Sequence, residues 1–135
     1  AGIDGKSFSL LPVEIFCRET GKTKKVTEYP CDGKLLKAAE QVKTKYHTGR
    51  GVIGSGDEWN NQLDRIALLR ERYHTAVEDM ESAAAAQLCL SYGVPFLGVR
   101  ILSNSIVNGE KFDEAVGIDG QKFMLSLIDQ MREYM

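Results

Sequence analysis

The stretch that most constrains how this 135-residue chain folds is residues 78–104, EDMESAAAAQLCLSYGVPFLGVRILSN. Its first half is rich in alanine and leucine, which favour helix, and Gly93 is the residue type that most often ends one. Asp79 is a good N-cap. The pattern therefore predicts a helix that runs to about Tyr92, with Glu81 in its first turn.

Residues 95–103 (PFLGVRILS) form a nearly continuous apolar run after a Gly-Val-Pro corner. Such a run predicts a strand that is covered on both faces, as in a parallel sheet. Arg100 is the exception within it. Because an unpaired buried charge is very costly, this guanidinium must contact an anion. Two kinds of partner are open, namely a carboxylate among Glu78, Asp79 and Glu81, or a ligand.

Polar side chains follow directly at the carboxyl end of the predicted strand, where Ser103 and Asn104 lie. Open α/β sheets bind their ligands at that edge, so these two residues are candidates for a site. Glu81 has a structural alternative, because a carboxylate at the start of a helix interacts favourably with the helix dipole.

The rest of the chain alternates between strand and helix patterns. Strands are predicted at residues 8–16, 51–54 and 74–78, with a turn at 19–22 and a solvated hairpin rim at 22–25. Helices are predicted at 32–46, at 59–73 with Asp57 as its N-cap, and at 121–135, with a polar loop at 105–120. Their inward residues are predicted as Leu35, Ala39, Val42 and Tyr46; Leu63, Ile66, Ala67, Leu69 and Tyr73; and Met124, Leu127, Ile128 and Met131. This order predicts an α/β fold over residues 1–135, with a single core and a largely parallel or mixed sheet flanked by helices.

Composition excludes several classes of function. The formal net charge of −2 gives no reason to expect nucleic acid or an acidic membrane as a partner, and no apolar run approaches the ~18 residues that a bilayer requires. Cys17, Cys31 and Cys89 stand singly, without metal-ligand spacing, which favours reduced thiols in a cytoplasmic protein. No metal and no cofactor are predicted. The glycines of residues 49–56 lack the order of the standard nucleotide-binding loops.

Three segments carry a resemblance to a known family. They are GVIGSGDEWNNQ at 51–62, MESAAAAQLC at 80–89 and GVPFLGVRILSN at 93–104. In this order and spacing, residues 27–135 resemble the carboxyl-terminal part of the nucleoside phosphorylase and nucleosidase superfamily. The branch they resemble is that of the methylthioadenosine/S-adenosylhomocysteine nucleosidases and related plant storage proteins. The resemblance implies the α/β fold of that superfamily, a purine nucleoside as ligand and a homo-oligomeric assembly.

The resemblance also implies a ribose and nucleophile site. Met80 and Glu81 match a Met-Glu pair in which the glutamate holds the ribose hydroxyls. Arg100 matches an arginine that lies near the attacking water or phosphate. Phosphate is therefore the one candidate co-substrate.

A purine site is implied in the same way. Trp59 and Asn60 match positions that stack on the base and meet its edge, and Ser103 and Asn104 match a Ser-Asp pair that faces the purine. Asn104 departs from that pattern because an amide cannot transfer a proton, and general acid catalysis contributes about 100- to 10,000-fold. An amide can still donate a hydrogen bond to the purine N7 and suit a 6-oxo group.

The first half of the family pattern, with its glycine-rich loop and early glutamate, is absent from this sequence. We expect a fragment of a longer protein, a half completed by another chain, or an incomplete site. The predicted function is N-ribosyl cleavage of purine nucleosides in the complete protein, by a nucleosidase or a phosphorylase. The alternatives are a catalytically weak nucleoside-binding or storage protein, and an assembly module with a vestigial pocket.

Overall fold

The computed structural model describes residues 10–111 and 114–132, in which strands and helices alternate. In chain order the elements are β1 (Val13–Cys17), β2 (Lys22–Val26), α1 (Gly33–Gln41), β3 (Val52–Ser55), α2 (Leu63–Tyr73), β4 (Thr75–Asp79), α3 (Ser82–Tyr92) and α4 (Ala115–Met131). β1 and β2 form an antiparallel hairpin, and β3 and β4 pair in parallel. The predicted α/β fold is confirmed, with two short sheets. The start of the predicted strand 8–16 and the end of the predicted helix 121–135 lie outside the described residues.

Helix α1 begins at Gly33, directly after its N-cap residue Asp32. The Asp32 carboxylate accepts hydrogen bonds from the backbone N–H groups of Lys34 and Leu35, at 2.8 and 3.0 Å. The helix ends at Gln41, however, so the predicted extension to Tyr46 is wrong. Val42 turns to extended backbone and is buried against Ala38 and Leu127, and Tyr46 lies outside the helix with its hydroxyl donating to the Asp119 carboxylate.

Helix α2 begins at Leu63, four residues later than predicted, and Asp57 does not cap it. Its N-cap position is Gln62, whose side chain makes no capping hydrogen bond. Leu69 is the buried residue of this helix, whereas Leu63 and Ala67 are exposed and were wrongly predicted to face inward. The helix thus rests on the protein along a narrow stripe around Leu69.

These two aspartates make a matched test of helix capping. We expect Asp32→Ala to lower the free energy of unfolding by about 1 kcal/mol, because it leaves two N–H groups of α1 without their acceptor. Asp57→Ala should change it by less than about 0.5 kcal/mol, since Asp57 is exposed and caps no helix. Urea unfolding followed by circular dichroism measures both. Equal effects of the two substitutions would contradict the assignment of Asp32 as the cap.

Helix α4 begins at Ala115, so the polar loop predicted at 105–120 is too long. Leu127 is 1% exposed and packs in the core with Ala38 and Val42, as predicted. Met124 and Ile128 were predicted to face inward but are 39% and 47% exposed. The buried stripe of α4 instead runs through Gly120, Phe123, Leu127 and Met131, because Ile101 packs directly on Gly120, where a Cβ would clash with it.

The predicted strand at residues 95–103 is not formed. This segment has no regular secondary structure, and the described strands pair only as β1 with β2 and β3 with β4. It is held instead by two contacts with the start of α1. The N–H of Asp32 donates to the carbonyl of Phe96 at 2.7 Å, and the N–H of Gly98 lies 3.4 Å from the Cys31 sulfur. An apolar run becomes a strand only where a neighbouring strand pairs with its backbone, and none does so here.

Candidate functional site

The candidate site lies at the carboxyl edge of the parallel pair β3–β4. Ser55 and Asp79 are the last residues of the two strands and stand opposite each other in the register. Met80 and Glu81 follow directly, before α3 begins. Parallel strands end at the same edge, so the chain delivers these side chains to one place.

Arg100 reaches this edge and pairs with Asp79. Its Nε and Nη2 atoms both contact the Asp79 Oδ2, and its Nη1 donates to the carbonyl of Val99 at 2.8 Å. The Asp79 side chain is 7% exposed and that of Arg100 is 35% exposed. Of the two kinds of partner that the sequence left open for Arg100, the contact present is with a carboxylate.

Two serines complete the surroundings of Asp79. The Ser82 N–H donates to Oδ1 at 3.2 Å, and the Ser82 hydroxyl donates to Oδ2. The last residue of β3, Ser55, stands opposite Asp79 in the register, and its hydroxyl oxygen accepts from the N–H of Ala83 at 3.1 Å. Burial alone would raise the pKa of Asp79, but the hydrogen bonds from Ser82 and Ser55 and the charge of Arg100 outweigh it and hold the pKa below its usual value.

This lowered pKa predicts how stability depends on pH. A carboxyl group that ionises more readily when folded stabilises the protein above its unfolded pKa of about 3.9, and this contribution is lost as pH falls through the folded value. We expect the contribution of Asp79 to the free energy of unfolding to be constant from about pH 7 to 5 and to decline below about pH 4. Urea unfolding at pH 7, 5, 4 and 3 should therefore show a shallower acid decline for Asp79→Asn. Parallel declines would contradict this prediction.

Glu81 occupies the N-cap position of α3, so its predicted place in the first helical turn is wrong by one residue. Its carboxylate makes no capping hydrogen bond to α3. It accepts only a local one, from the N–H of Met80 at 3.2 Å, and the residue is exposed. Asp79, which was predicted as the N-cap, does bind the N–H of Ser82. The Glu81 carboxylate is therefore open to a ligand.

The residues predicted to meet the base occupy the same edge from the other side. The Asn60 side-chain amide donates to the Glu78 carboxylate of β4 at 2.9 Å and accepts from the N–H of Gln62 at 3.3 Å. Trp59 precedes it and is 71% exposed. A tryptophan this exposed is not part of the core, which leaves its ring free to stack on a ligand.

Ser103 and Asn104 contact each other. The Ser103 hydroxyl lies 3.1 Å from the Asn104 Oδ1, and both residues are half-buried. This hydrogen bond occupies the acceptor end of the Asn104 amide and leaves its NH₂ group as a donor. The pair follows Arg100 by three residues, a distance of no more than ~11 Å along an extended chain.

Four of the seven predicted site residues lie beside the end of β4: Asn60 contacts Glu78, Arg100 contacts Asp79, and Met80 and Glu81 follow directly in the chain. Trp59 is placed there by its neighbour, and Ser103 and Asn104 form their own pair. The sequence analysis missed Ser55 and Ser82. Ser82 could have been found as the residue three positions after an N-cap candidate, whereas the role of Ser55 depends on the pairing of β3 with β4.

Two open clefts lie elsewhere on the described surface. One, of about 640 Å³, lies between the β1–β2 hairpin and the end of α3, is lined by Cys17, Lys24, Cys89 and Gly93 among others, and contains none of the seven residues. The other, of about 550 Å³, is lined by Arg100 and the apolar flank of α4. Of these two clefts, only the second includes a candidate site residue, Arg100.

Within residues 10–111 and 114–132, no group of three or more His, Cys, Asp or Glu side chains is arranged to hold a metal ion. No helix in the part of the chain that the structure describes has the length and apolar character needed to span a bilayer. Cys17, Cys31 and Cys89 are all free thiols.

Comparison with known proteins identifies the family. Residues 9–131 match the family model described as the phosphorylase superfamily. The chain is 35% identical over 129 residues to the 5'-methylthioadenosine/S-adenosylhomocysteine nucleosidase of Bacillus pumilus, covering 87% of this chain and 55% of that protein. It is 32% identical over 125 residues to the enzyme of the same name from Aeromonas salmonicida, covering 87% and 54%. No solved structure matches the chain.

The match covers most of the sequence, and the α/β fold agrees with it. The chain belongs to the phosphorylase superfamily. It spans about half the length of the curated relatives that it matches.

Proposed function

We propose that the complete protein cleaves the N-ribosyl bond of purine nucleosides by hydrolysis. The observation that carries this proposal is the gathering of Glu81, Arg100 and Asn60 at the carboxyl edge of β3–β4, in a superfamily member whose relatives are named nucleosidases. No metal is required by this chemistry, because each group that it needs is an ordinary side chain.

N-glycosidic cleavage develops positive charge on the sugar and negative charge on the departing base. The exposed Glu81 carboxylate is suited to accept hydrogen bonds from the ribose hydroxyls and to stabilise the sugar cation. Arg100 would orient the nucleophile. Trp59 would stack on the base, and the NH₂ group of Asn104, held by Ser103 through its oxygen, would donate to the purine N7.

The function is tested by measuring purine release from adenosine, inosine and methylthioadenosine, with and without phosphate, in the natural full-length polypeptide. Release without phosphate supports hydrolysis, whereas release that requires phosphate would make the protein a phosphorylase. Binding of nucleoside without turnover would establish the storage alternative. If no nucleoside raises the melting temperature of the protein, the pocket is vestigial.

We also propose that the protein forms homo-oligomers and is cytoplasmic. The flank of α4 formed by Ile118, Leu125 and Ile128 is apolar and exposed, which suits a contact with a second copy of the chain. Sedimentation velocity measures the oligomeric state, and a monomer at all concentrations would contradict the first part. Cell fractionation measures the proposed cytoplasmic location. The three free thiols agree with that location.

A further inference from the structure

Asp79 connects three segments of the chain through one nearly buried carboxylate. Ser82 begins α3, Arg100 comes from the irregular segment after α3, and both donate to it, while Ser55 at the end of β3 stands opposite it in the register. Glu81 lies between Asp79 and Ser82 in the chain. Any movement of this carboxylate would therefore move both Glu81 and Arg100.

The contacts of Arg100 determine what it can offer to a ligand. A guanidinium has five N–H groups in a rigid plane. The one on Nε and one on Nη2 are directed to Asp79, and one on Nη1 is directed to the carbonyl of Val99. These contacts leave one N–H on each terminal nitrogen, and Arg100 is about one third exposed. The positive charge of the Arg100 guanidinium is offset by the carboxylate of Asp79.

We infer that Asp79 is a positioning residue that holds Arg100 beside Glu81 and, by offsetting its charge, reduces the affinity of this edge for phosphate. A neutral water molecule needs only the two remaining N–H groups, whereas a phosphate dianion is bound chiefly through uncompensated positive charge and a bidentate fork. The carboxylate thereby favours water over phosphate as the nucleophile. This inference rests on the proposed function in one respect only, namely that Arg100 faces the nucleophile.

The test compares the affinity for inorganic phosphate in four forms of the natural full-length polypeptide. They are the unmodified protein, Asp79→Asn, Asp79→Glu and the double variant Asp79→Asn/Arg100→Gln. We expect Asp79→Asn to bind phosphate about tenfold more tightly by isothermal titration calorimetry, because removal of the carboxylate frees the guanidinium and its charge. Asp79→Glu, which keeps the charge, should stay within about twofold of the unmodified protein, and the double variant should lose the gain.

A purely structural role for Asp79 would lower stability in the Asn variant without raising its affinity for phosphate. Unchanged or weaker phosphate binding by folded Asp79→Asn would therefore overturn the inference, as would a gain that survives in the double variant. If Asp79→Asn fails to fold, the unmodified protein supplies a second measurement. The Arg100 Nε–H resonance should exchange slowly with solvent and shift little on addition of phosphate. Rapid exchange or a large shift would overturn the inference.

Binding of methylthioadenosine is measured in the same samples, so that the two proposals can fail separately. A folded, unmodified protein that binds no nucleoside would refute the proposed function, while the phosphate comparison would still decide the role of Asp79. Nucleoside binding together with unchanged phosphate affinity in Asp79→Asn would refute the inference alone.

Discussion

Replacement of Glu81 by alanine is expected to weaken nucleoside binding by about 10- to 100-fold with little effect on the fold. The carboxylate is exposed, accepts only a local hydrogen bond from Met80 and caps no helix, so its removal should change the free energy of unfolding by less than about 0.5 kcal/mol. Charged hydrogen bonds to the ribose hydroxyls would contribute about 1.5–3 kcal/mol to binding. Calorimetric titration with methylthioadenosine measures the loss.

Free adenine provides the internal control for this substitution. Because adenine has no ribose, its affinity should be the same for the unmodified protein and for Glu81→Ala. Glu71→Ala serves as the matched variant, since Glu71 is an exposed glutamate on α2 and not one of the candidate site residues, and should leave both affinities unchanged. Equal nucleoside affinity in Glu81→Ala and the unmodified protein would remove Glu81 from the site.

The parts of this fold that follow from the sequence are those decided by neighbouring residues. Asp32 specifies the start of α1 because its carboxylate binds N–H groups two and three residues further on. Gly93 specifies the end of α3 because it adopts the left-handed backbone conformation, with φ of 68°, that side chains disfavour. Both features need no information about the rest of the chain, and both were predicted correctly.

The parts that could not be predicted depend on contacts between distant residues. Whether 95–103 becomes a strand depends on a pairing partner, and the described strands provide none. The buried stripe of α4 is shifted towards Gly120 by Ile101, a contact that periodicity within α4 does not encode. In both segments the apolar residues are visible in the sequence. Which other part of the protein packs against them is not.

The candidate site divides in the same way. The motifs predict Asn60, Met80, Glu81 and Arg100 as site residues, and all four lie beside the last residues of β4. The Asp79 carboxylate, which pairs with Arg100, was considered only as one of three carboxylate partners for it, and the hydroxyls of Ser55 and Ser82 were not considered. Serine at a strand end or in a first helical turn is common, so its role is visible only once Asp79 is seen to be nearly buried.

Replacement of Asn104 by aspartate is expected to raise the rate of cleavage of adenine nucleosides by about 100- to 10,000-fold in the natural full-length polypeptide. A carboxyl group can transfer a proton to the departing base, which an amide cannot do, and general acid catalysis typically contributes that factor. Ser103 already donates to the oxygen at this position and would donate equally to a carboxyl oxygen. Adenine release from methylthioadenosine, followed by chromatography, measures the change.

The pH dependence of this gain identifies its cause. A general acid acts in its protonated form, so the gain of the Asn104→Asp variant should diminish as pH rises above the pKa of the new carboxyl group, whereas the slower cleavage by the unmodified protein should lack that dependence. Asn108→Asp is the matched control, because Asn108 is exposed and its substitution adds the same charge without facing the purine. If Asn104→Asp still binds nucleoside but gains no activity, Asn104 is not at the position of the acid, and the chain is better explained as a nucleoside-binding or storage protein.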